Sequence, residues 1–227
     1  MSDNREQPGN PKPELTLNDL QVEAQKFAQV ELNPNEPSLY GVTDGKAIGT
    51  YLEQKFLAYL AQNYHYQPGN AASGIDIPSL RVDLKVTRSK QPQSSCPFES
   101  ATQKVFGLGY HLLIFVYEKS DNPQNRTAQL TIQHSIFVDQ SRTADFQTTR
   151  GLLEILEREG NDDDIVAFLL DRNLPVDEIG AYQLANRILT TPPEQGYLTI
   201  SNALQWRLQY SRVIQKAGQT PGIIRVY

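Results

Sequence analysis

Apolar and polar positions along the chain alternate with two different periods. Between Lys46 and Asn63, the residues Gly49, Glu53, Phe56, Leu57 and Leu60 recur at offsets 0, 4, 7, 8 and 11, one face of an α-helix. A shorter signal predicts an earlier helix from Thr16 to about Leu32, closed by the Pro34 to Pro37 segment. From Gly74 to Thr87, Ile, Leu and Val alternate with charged residues, the pattern of a β-hairpin. Phe98, Ala101, Thr102, Val105, Phe106 and Gly109 return to helical spacing, and Leu112 to Tyr117 is an unbroken apolar run that suits a central strand covered on both faces. Another strand is predicted between Gln129 and Asp139. From Phe146 onward the pattern is helical, with segments near 150–158, 162–172, 177–190 and 199–216 separated by Gly160, Pro175 and Pro192-Pro193. The prediction is an α/β fold: a core over 15–140 with a central mixed β-sheet flanked by helices, then a C-terminal helical subdomain over 141–227. Residues 1–14 are polar, carry Pro8, Pro11 and Pro13, and are expected to form a disordered arm.

Composition narrows the chemistry. One cysteine, Cys96, and three scattered histidines exclude an internal disulfide and a cysteine-based zinc site, leaving hard-metal chemistry on carboxylates open. A mean hydropathy of -0.48, no apolar run near the roughly 20 residues of a spanning helix and the polar start MSDNREQPGN lead us to expect a cytoplasmic protein with no membrane partner. The net charge of -5 argues against a polyanionic partner until its distribution is considered. Nine acids and two arginines between Glu154 and Glu178 give that block a local charge of -7, so the remainder of the chain is +2. We expect the block to be a solvated exterior, with Asp162 to Asp164 at a helix N-terminus.

The strand around Arg81 to Thr87 carries the candidate chemistry. Asp83 and Lys85 are two residues apart and project from one face. Asp76 joins that face if the turn at Pro78-Ser79 has two or four residues, and leaves it if the loop has three. Two carboxylates facing each other across a hairpin repel unless a cation, a shared proton or a lysine compensates. A hard divalent ion fits, with Asp76, Asp83, Glu53 and the backbone oxygen of Leu84 as an all-oxygen ligand set of the kind Mg2+ prefers. Such an ion would lower the pKa of a water and stabilise charge on a phosphate, while Lys85 adds a fixed positive charge; the combination suits phosphodiester hydrolysis. Glu53, on the apolar stripe of its helix, is either solvated at the stripe's edge or turned toward a compensating charge.

Gly74-Ile-Asp76 followed by Arg81-Val-Asp83-Leu-Lys85 resembles the PD-(D/E)XK nuclease signature, and the element order from 46 to 117 is similar to that superfamily's restriction-endonuclease-like core. The resemblance implies that Asp76 and Asp83 are metal carboxylates, Lys85 the catalytic lysine and Glu53 the helical glutamate that many members place before the hairpin. Ile75 stands where the signature has proline, and six residues separate the two aspartates. Gln103 and Tyr110 lie seven apart rather than four, which does not match the exonuclease branch. The resemblance is closest to type II restriction endonucleases. It implies a Mg2+-dependent, sequence-specific enzyme that cuts double-stranded DNA as a homodimer, with the C-terminal helices serving DNA contact or dimerisation. A structure-specific or repair nuclease of the same fold, and a non-catalytic DNA-binding or assembly protein, are the alternatives.

Candidate DNA contacts are Arg81, Arg88, Lys90 and Lys104 near the motif, Gln91, Gln93 and Ser94 in the polar loop after it, and Arg207, Arg212 and Lys216 near the C-terminus. Gln205, Gln209, Arg212 and Lys216 fall at 0, 4, 7 and 11, predicted as the outer face of a last helix. His65, His111 and His134 have no partner spacing and are expected to be structural. Cys96 precedes Pro97 at a predicted helix start but lacks a nearby histidine to activate it.

Overall fold

The computed structural model describes residues 12–30, 35–69, 74–96, 100–201 and 206–227. Its first helix, α1 (Leu17–Gln29), opens with a capping box in which Thr16 accepts from the Asp19 N–H and Asp19 accepts from the Thr16 N–H. In α2 (Gly45–Asn63), capped by Asp44, the buried face is Ile48, Gly49, Leu52, Phe56 and Leu60. Glu53 lies half-buried at the flank of that stripe. Phe56 joins the two helices to the sheet, with ring centroids 5.0 Å from both Phe27 and Phe115.

The main sheet contains β1 (Val82–Arg88), β3 (His111–Asn122), β4 (Thr127–Val138) and β7 (Ile223–Arg225) in the order β1-β3-β4-β7. β1 runs parallel to β3 and the other pairs are antiparallel, so the sheet is mixed and β1 is an edge strand. The apolar run in β3 is covered on both sides, as its composition predicts. Leu113, Phe115 and Tyr117 enter the core beneath α1 and α2, while Leu112, Ile114 and Val116 enter a second core on the opposite face. That second face is closed by a three-stranded sheet, β2 (Gln93–Cys96), β5 (Thr199–Ile200) and β6 (Trp206–Gln209), and by α7 (Ser211–Lys216). A third core joins α3 (Thr102–Phe106) to α4 (Phe146–Glu157), α5 (Asp162–Asp171) and α6 (Glu178–Thr190).

Several boundaries differ from the sequence expectation. Residues 1–11 of the expected arm lie outside the described residues, but Pro13 and Leu15 bond to the backbone of His65 at 2.8 and 3.0 Å, so the ordered chain begins before residue 15. The predicted helix over 199–216 is two strands and a short helix. Leu198, Ile200, Leu208 and Tyr210 are buried while Thr199, Ser201, Arg207 and Gln209 are not, which is the two-residue period of strands. The polar loop after the motif becomes a strand from Gln93, and Ile223–Arg225 returns to the main sheet, so the C-terminal segment is only partly helical and shares the central sheet. In the acidic block, Asp162 to Asp164 occupy the first turn of α5 as expected, and some of its acids also make structural bonds. Asn161 and Asp164 form a capping box for α5, and Asp163 accepts the Tyr182 hydroxyl. No helix among the described residues is long and apolar enough to cross a membrane.

Candidate active site

The predicted hairpin is reduced to a single bridge, and that bridge fixes the position of Asp76. Ile77 and Val82 exchange both backbone hydrogen bonds around a four-residue connection that includes the Pro78–Leu80 3-10 turn and Arg81 at φ 53. Asp76 is thereby set opposite Asp83, on the side predicted for a four-residue loop. The chain before Ile77 does not continue as a strand because the next bond of the ladder is made by a side chain: the Leu84 N–H donates to Asp76 Oδ2 at 2.8 Å. Gly69 supports Asp76 from behind. Its N–H donates to the Asp76 carbonyl at 2.7 Å, and a Cβ there would stand 1.8 Å from the Ile75 oxygen.

Asp83 and Lys85 share one side of β1, while Val82, Leu84 and Val86 pack into the core beneath α2. Lys85 Nζ lies 2.6 Å from Asp83 Oδ2, with the two side chains 18% and 5% exposed. Burial, and the neighbouring Asp76 carboxyl, push the Asp83 carboxyl up to about 7 against the opposing pull of Lys85. Desolvation alone would lower the Lys85 ammonium, but Asp83, Asp76 and Glu53 outweigh it and raise its pKa, so Nζ keeps its proton. Burial raises the Glu53 carboxyl, Asp76 raises it further and Lys85 opposes both. Glu53 is thus half-buried and within electrostatic reach of Asp76 and Lys85. Within a strand, the N–H and C=O of one residue point to the same edge. The Leu84 carbonyl consequently shares the edge on which its N–H meets Asp76.

Asp76, Asp83 and the Leu84 carbonyl at this edge, with Glu53 in electrostatic reach, offer only oxygens, the donor chemistry that a hard divalent cation takes. Among the described residues no three His, Cys, Asp or Glu side chains already form a metal cage. Asp76 and Asp83 are held instead by the Leu84 N–H and by Lys85.

The basic and polar candidates divide into two groups. Lys90, Gln91, Arg207 and Lys216 are exposed and Gln93 is half-exposed. Arg81 donates to the Gly109 carbonyl, and Arg88 to the Thr43 carbonyl at 2.9 Å and the Tyr117 hydroxyl at 3.3 Å, so both are anchored beside β1. Arg212 stacks on Phe146 at 3.9 Å and donates to the Thr199 hydroxyl at 2.9 Å. Three of these expectations meet a different placement. Lys104 is only 2% exposed, where desolvation depresses its ammonium and Asp145 partly restores it, so it offers no surface contact to DNA. Ser94 faces inward on β2 and bonds to the buried Tyr210 hydroxyl. The helical face formed by Gln209, Arg212 and Lys216 does not exist, because Gln209 is on β6 and the other two are on α7; Gln205 lies outside the described residues.

The histidines stay apart: His65 meets Glu14, His111 accepts the Gln140 N–H and His134 meets Arg225. Cys96 is buried, 3.7 Å from the Tyr110 hydroxyl. Two residues of the packed interior escaped the sequence reading. Burial raises the Tyr210 hydroxyl, and Ser94, whose hydroxyl meets it, opposes that shift. Asp145, 5% exposed, accepts the N–H and hydroxyl of Thr148 and the Ile200 N–H, locking α4 to β5. Tyr210 follows a region where helical spacing masked the strands, and Asp145 stands just before the helix it caps.

A mixed sheet flanked by helices, with the Asp-x-Lys tripeptide on an edge strand opposite a second aspartate, defines the restriction-endonuclease-like class. Residues 14–225 match the family model of the type II restriction enzyme NspV, and the chain belongs to that family. It is 63% identical over 213 residues to the type II restriction enzyme NspV of Nostoc sp. (strain ATCC 29411 / PCC 7524), covering 94% of this chain and 97% of that relative. No solved structure matches. The protein is thus a type II site-specific deoxyribonuclease, which sets aside the repair-nuclease and non-catalytic alternatives.

Proposed function

We propose that the protein hydrolyses phosphodiester bonds of duplex DNA in a Mg2+-dependent, sequence-specific manner at the β1 edge, working as a homodimer in the cytoplasm. The observation that carries this reading is the convergence of Asp76, Asp83 and Lys85, with Asp76 bonded to the Leu84 N–H at 2.8 Å and Lys85 to Asp83 at 2.6 Å. Asp76, Asp83, Glu53 and the Leu84 carbonyl would hold the ion, which when bound supplies charge neutralisation for phosphate and acidifies a water.

The chain's own groups do the rest. Asp83 fixes the Lys85 ammonium in one position, so its charge would be in place for a phosphate bound at this edge with little reorganisation. The Leu84 N–H orients the Asp76 carboxylate. Burial of Asp83 beneath Lys85 excludes water that would weaken these interactions. Exposed Lys90, Gln91, Arg207 and Lys216, with half-exposed Gln93 and the anchored Arg81, Arg88 and Arg212, supply cations and hydrogen-bonding groups for phosphates and bases. A symmetric duplex site presents two equivalent scissile bonds, and two copies of one active site meet them through a twofold axis.

Incubating plasmid and phage DNA with purified protein and Mg2+ tests the reading on a gel. Discrete fragments that disappear with chelator support it. A smear contradicts sequence specificity, and intact DNA across many substrates contradicts nuclease activity.

A further inference from the structure

The small sheet β2-β6-β5 has two chemically opposite faces. Its inner face carries Cys96, Leu208 and Ile200, which pack into the second core with Tyr210. In register, Gln93 pairs with Gln209 and Gln209 with Thr199; Ser95 pairs with Arg207, whose N–H donates to the Ser201 hydroxyl at 2.9 Å. These outward positions form two polar rows, Gln-Gln-Thr and Ser-Arg-Ser, all exposed or half-exposed. Neither row contains an apolar or acidic residue, and no acid follows Glu194 in the chain.

We infer that this outer face, Gln93, Ser95, Thr199, Ser201, Arg207 and Gln209, is the surface that reads base edges in the recognition site; the inference rests on the proposed nuclease function. A fully polar sheet face is expected on any solvated strand, but three features go beyond that. Its side chains are of the types that match base edges, arginine for guanine, glutamine for adenine, and serine or threonine for either. β2 and β6, about 5 Å apart as paired strands are, make a ribbon of the width that the roughly 12 Å major groove admits. Finally, the face is rigidly joined to the candidate active site. Thr87 on the catalytic strand and Gln93 bond reciprocally, Gln93 N–H to Thr87 Oγ1 at 2.8 Å and Thr87 hydroxyl to the Gln93 carbonyl at 3.1 Å. Beneath the sheet, Tyr210 donates its N–H to the Pro92 carbonyl at 2.8 Å and its hydroxyl meets Ser94. Arg212 borders the first row, held by Phe146 and Thr199. Bases read on this face would therefore be held at a fixed offset from the bond at Asp76, Asp83 and Lys85. That coupling is what a sequence-specific nuclease requires and a nonspecific one does not.

The test uses the full-length protein, Mg2+ and phage DNA of known sequence. Sequencing the fragment ends defines the site, and cleavage rates are then compared on short duplexes carrying that site and each of its single-base changes. Gln209→Ala and Arg207→Ala are expected to lose about 10- to 100-fold of the discrimination at one or two base positions, the size of one bidentate base contact. Arg207→Lys keeps the charge but not the fork, so it should lose discrimination as well, even if the alanine variant folds poorly. Lys216→Ala, on α7 and off this face, should weaken binding evenly at all positions. If the parent cuts at a defined site and the Gln209 and Arg207 variants keep its full discrimination, the inference is wrong. If the parent cuts no DNA, the underlying nuclease reading fails, and this one with it.

Discussion

Replacing Glu23 with glutamine separates the glutamate that builds the fold from the one proposed to serve the site. Glu23 is 5% exposed on α1 and accepts the Tyr59 hydroxyl at 2.6 Å, the Tyr64 hydroxyl at 3.2 Å and the Lys26 ammonium at 2.8 Å. Burial pushes its carboxyl up, but these three partners outweigh burial and hold it below the usual range, opposite to Glu53. Lys26 is 56% exposed and contributes little. The two hydroxyl bonds to a buried charge are worth about 1.5–3 kcal/mol each, and a glutamine retains part of each. The expected loss is about 2 kcal/mol at pH 7, which is roughly 4–8 °C in melting temperature for a chain of this size. The sign of the pH dependence follows from the lowered pKa. This stabilisation is complete above the unfolded value of about 4.3 and is lost as pH falls through the lower folded value, so the gap between parent and Glu23→Gln should narrow from pH 7 to pH 3.5. Thermal unfolding in chelator across that range measures it, and DNA cleavage near pH 7 at a permissive temperature should be unchanged. A gap constant with pH, or lost cleavage in a folded variant, would refute the assignment of Glu23 as a structural tie between α1 and α2.

The features legible in the sequence are those with a sustained period. The stripe of α2 and the doubly covered β3 extend over many residues, and the alternation in β1 placed Asp83 and Lys85 on one side. The sequence leaves the turn length at Pro78 open, and the Ile77–Val82 bridge selects four residues. What was missed lies where signals are short or misleading. β5 has two residues and β6 four, too few for alternation to compete with the helical offsets of Gln205, Gln209, Arg212 and Lys216. Lysine is expected at the surface, so the burial of Lys104 near Asp145 depends on tertiary packing that no local pattern encodes. Asp76 capping the Leu84 N–H in place of a second strand is likewise a side-chain event, and the hairpin pattern could not distinguish it from backbone pairing.

The site variants should differ in binding as well as turnover. In metal-free buffer, Asp83→Ala removes a charge that repels phosphate and should bind duplex DNA at least as tightly as the parent, whereas Lys85→Ala should bind slightly more weakly with a shallower salt dependence; fluorescence anisotropy at several salt concentrations reads both. Glu53→Gln should need a higher Mg2+ concentration for half-maximal cleavage and leave the melting temperature of the metal-free protein within a few degrees, and an unchanged Mg2+ requirement would remove Glu53 from the ligand set. Gly69→Ala forces the chain behind Asp76 to move, so we expect about 1–3 kcal/mol of destabilisation from overpacking and a cleavage rate lower by about 100-fold, checked by melting and kinetics.

The central claim, that Asp76, Asp83 and Lys85 on the β1 edge perform the cleavage, is tested most directly by single-turnover kinetics. The parent, Asp76→Asn, Asp83→Asn and Lys85→Met would each be held in excess over one DNA duplex containing the mapped site and started with Mg2+. We predict that each variant still binds the duplex but cleaves it at least about 1,000-fold more slowly, as expected when a charge-stabilising group of a phosphoryl-transfer site is removed. Parental cleavage rates in any one of the three would contradict the role assigned to that residue, and parental rates in all three would place the active site elsewhere in the molecule.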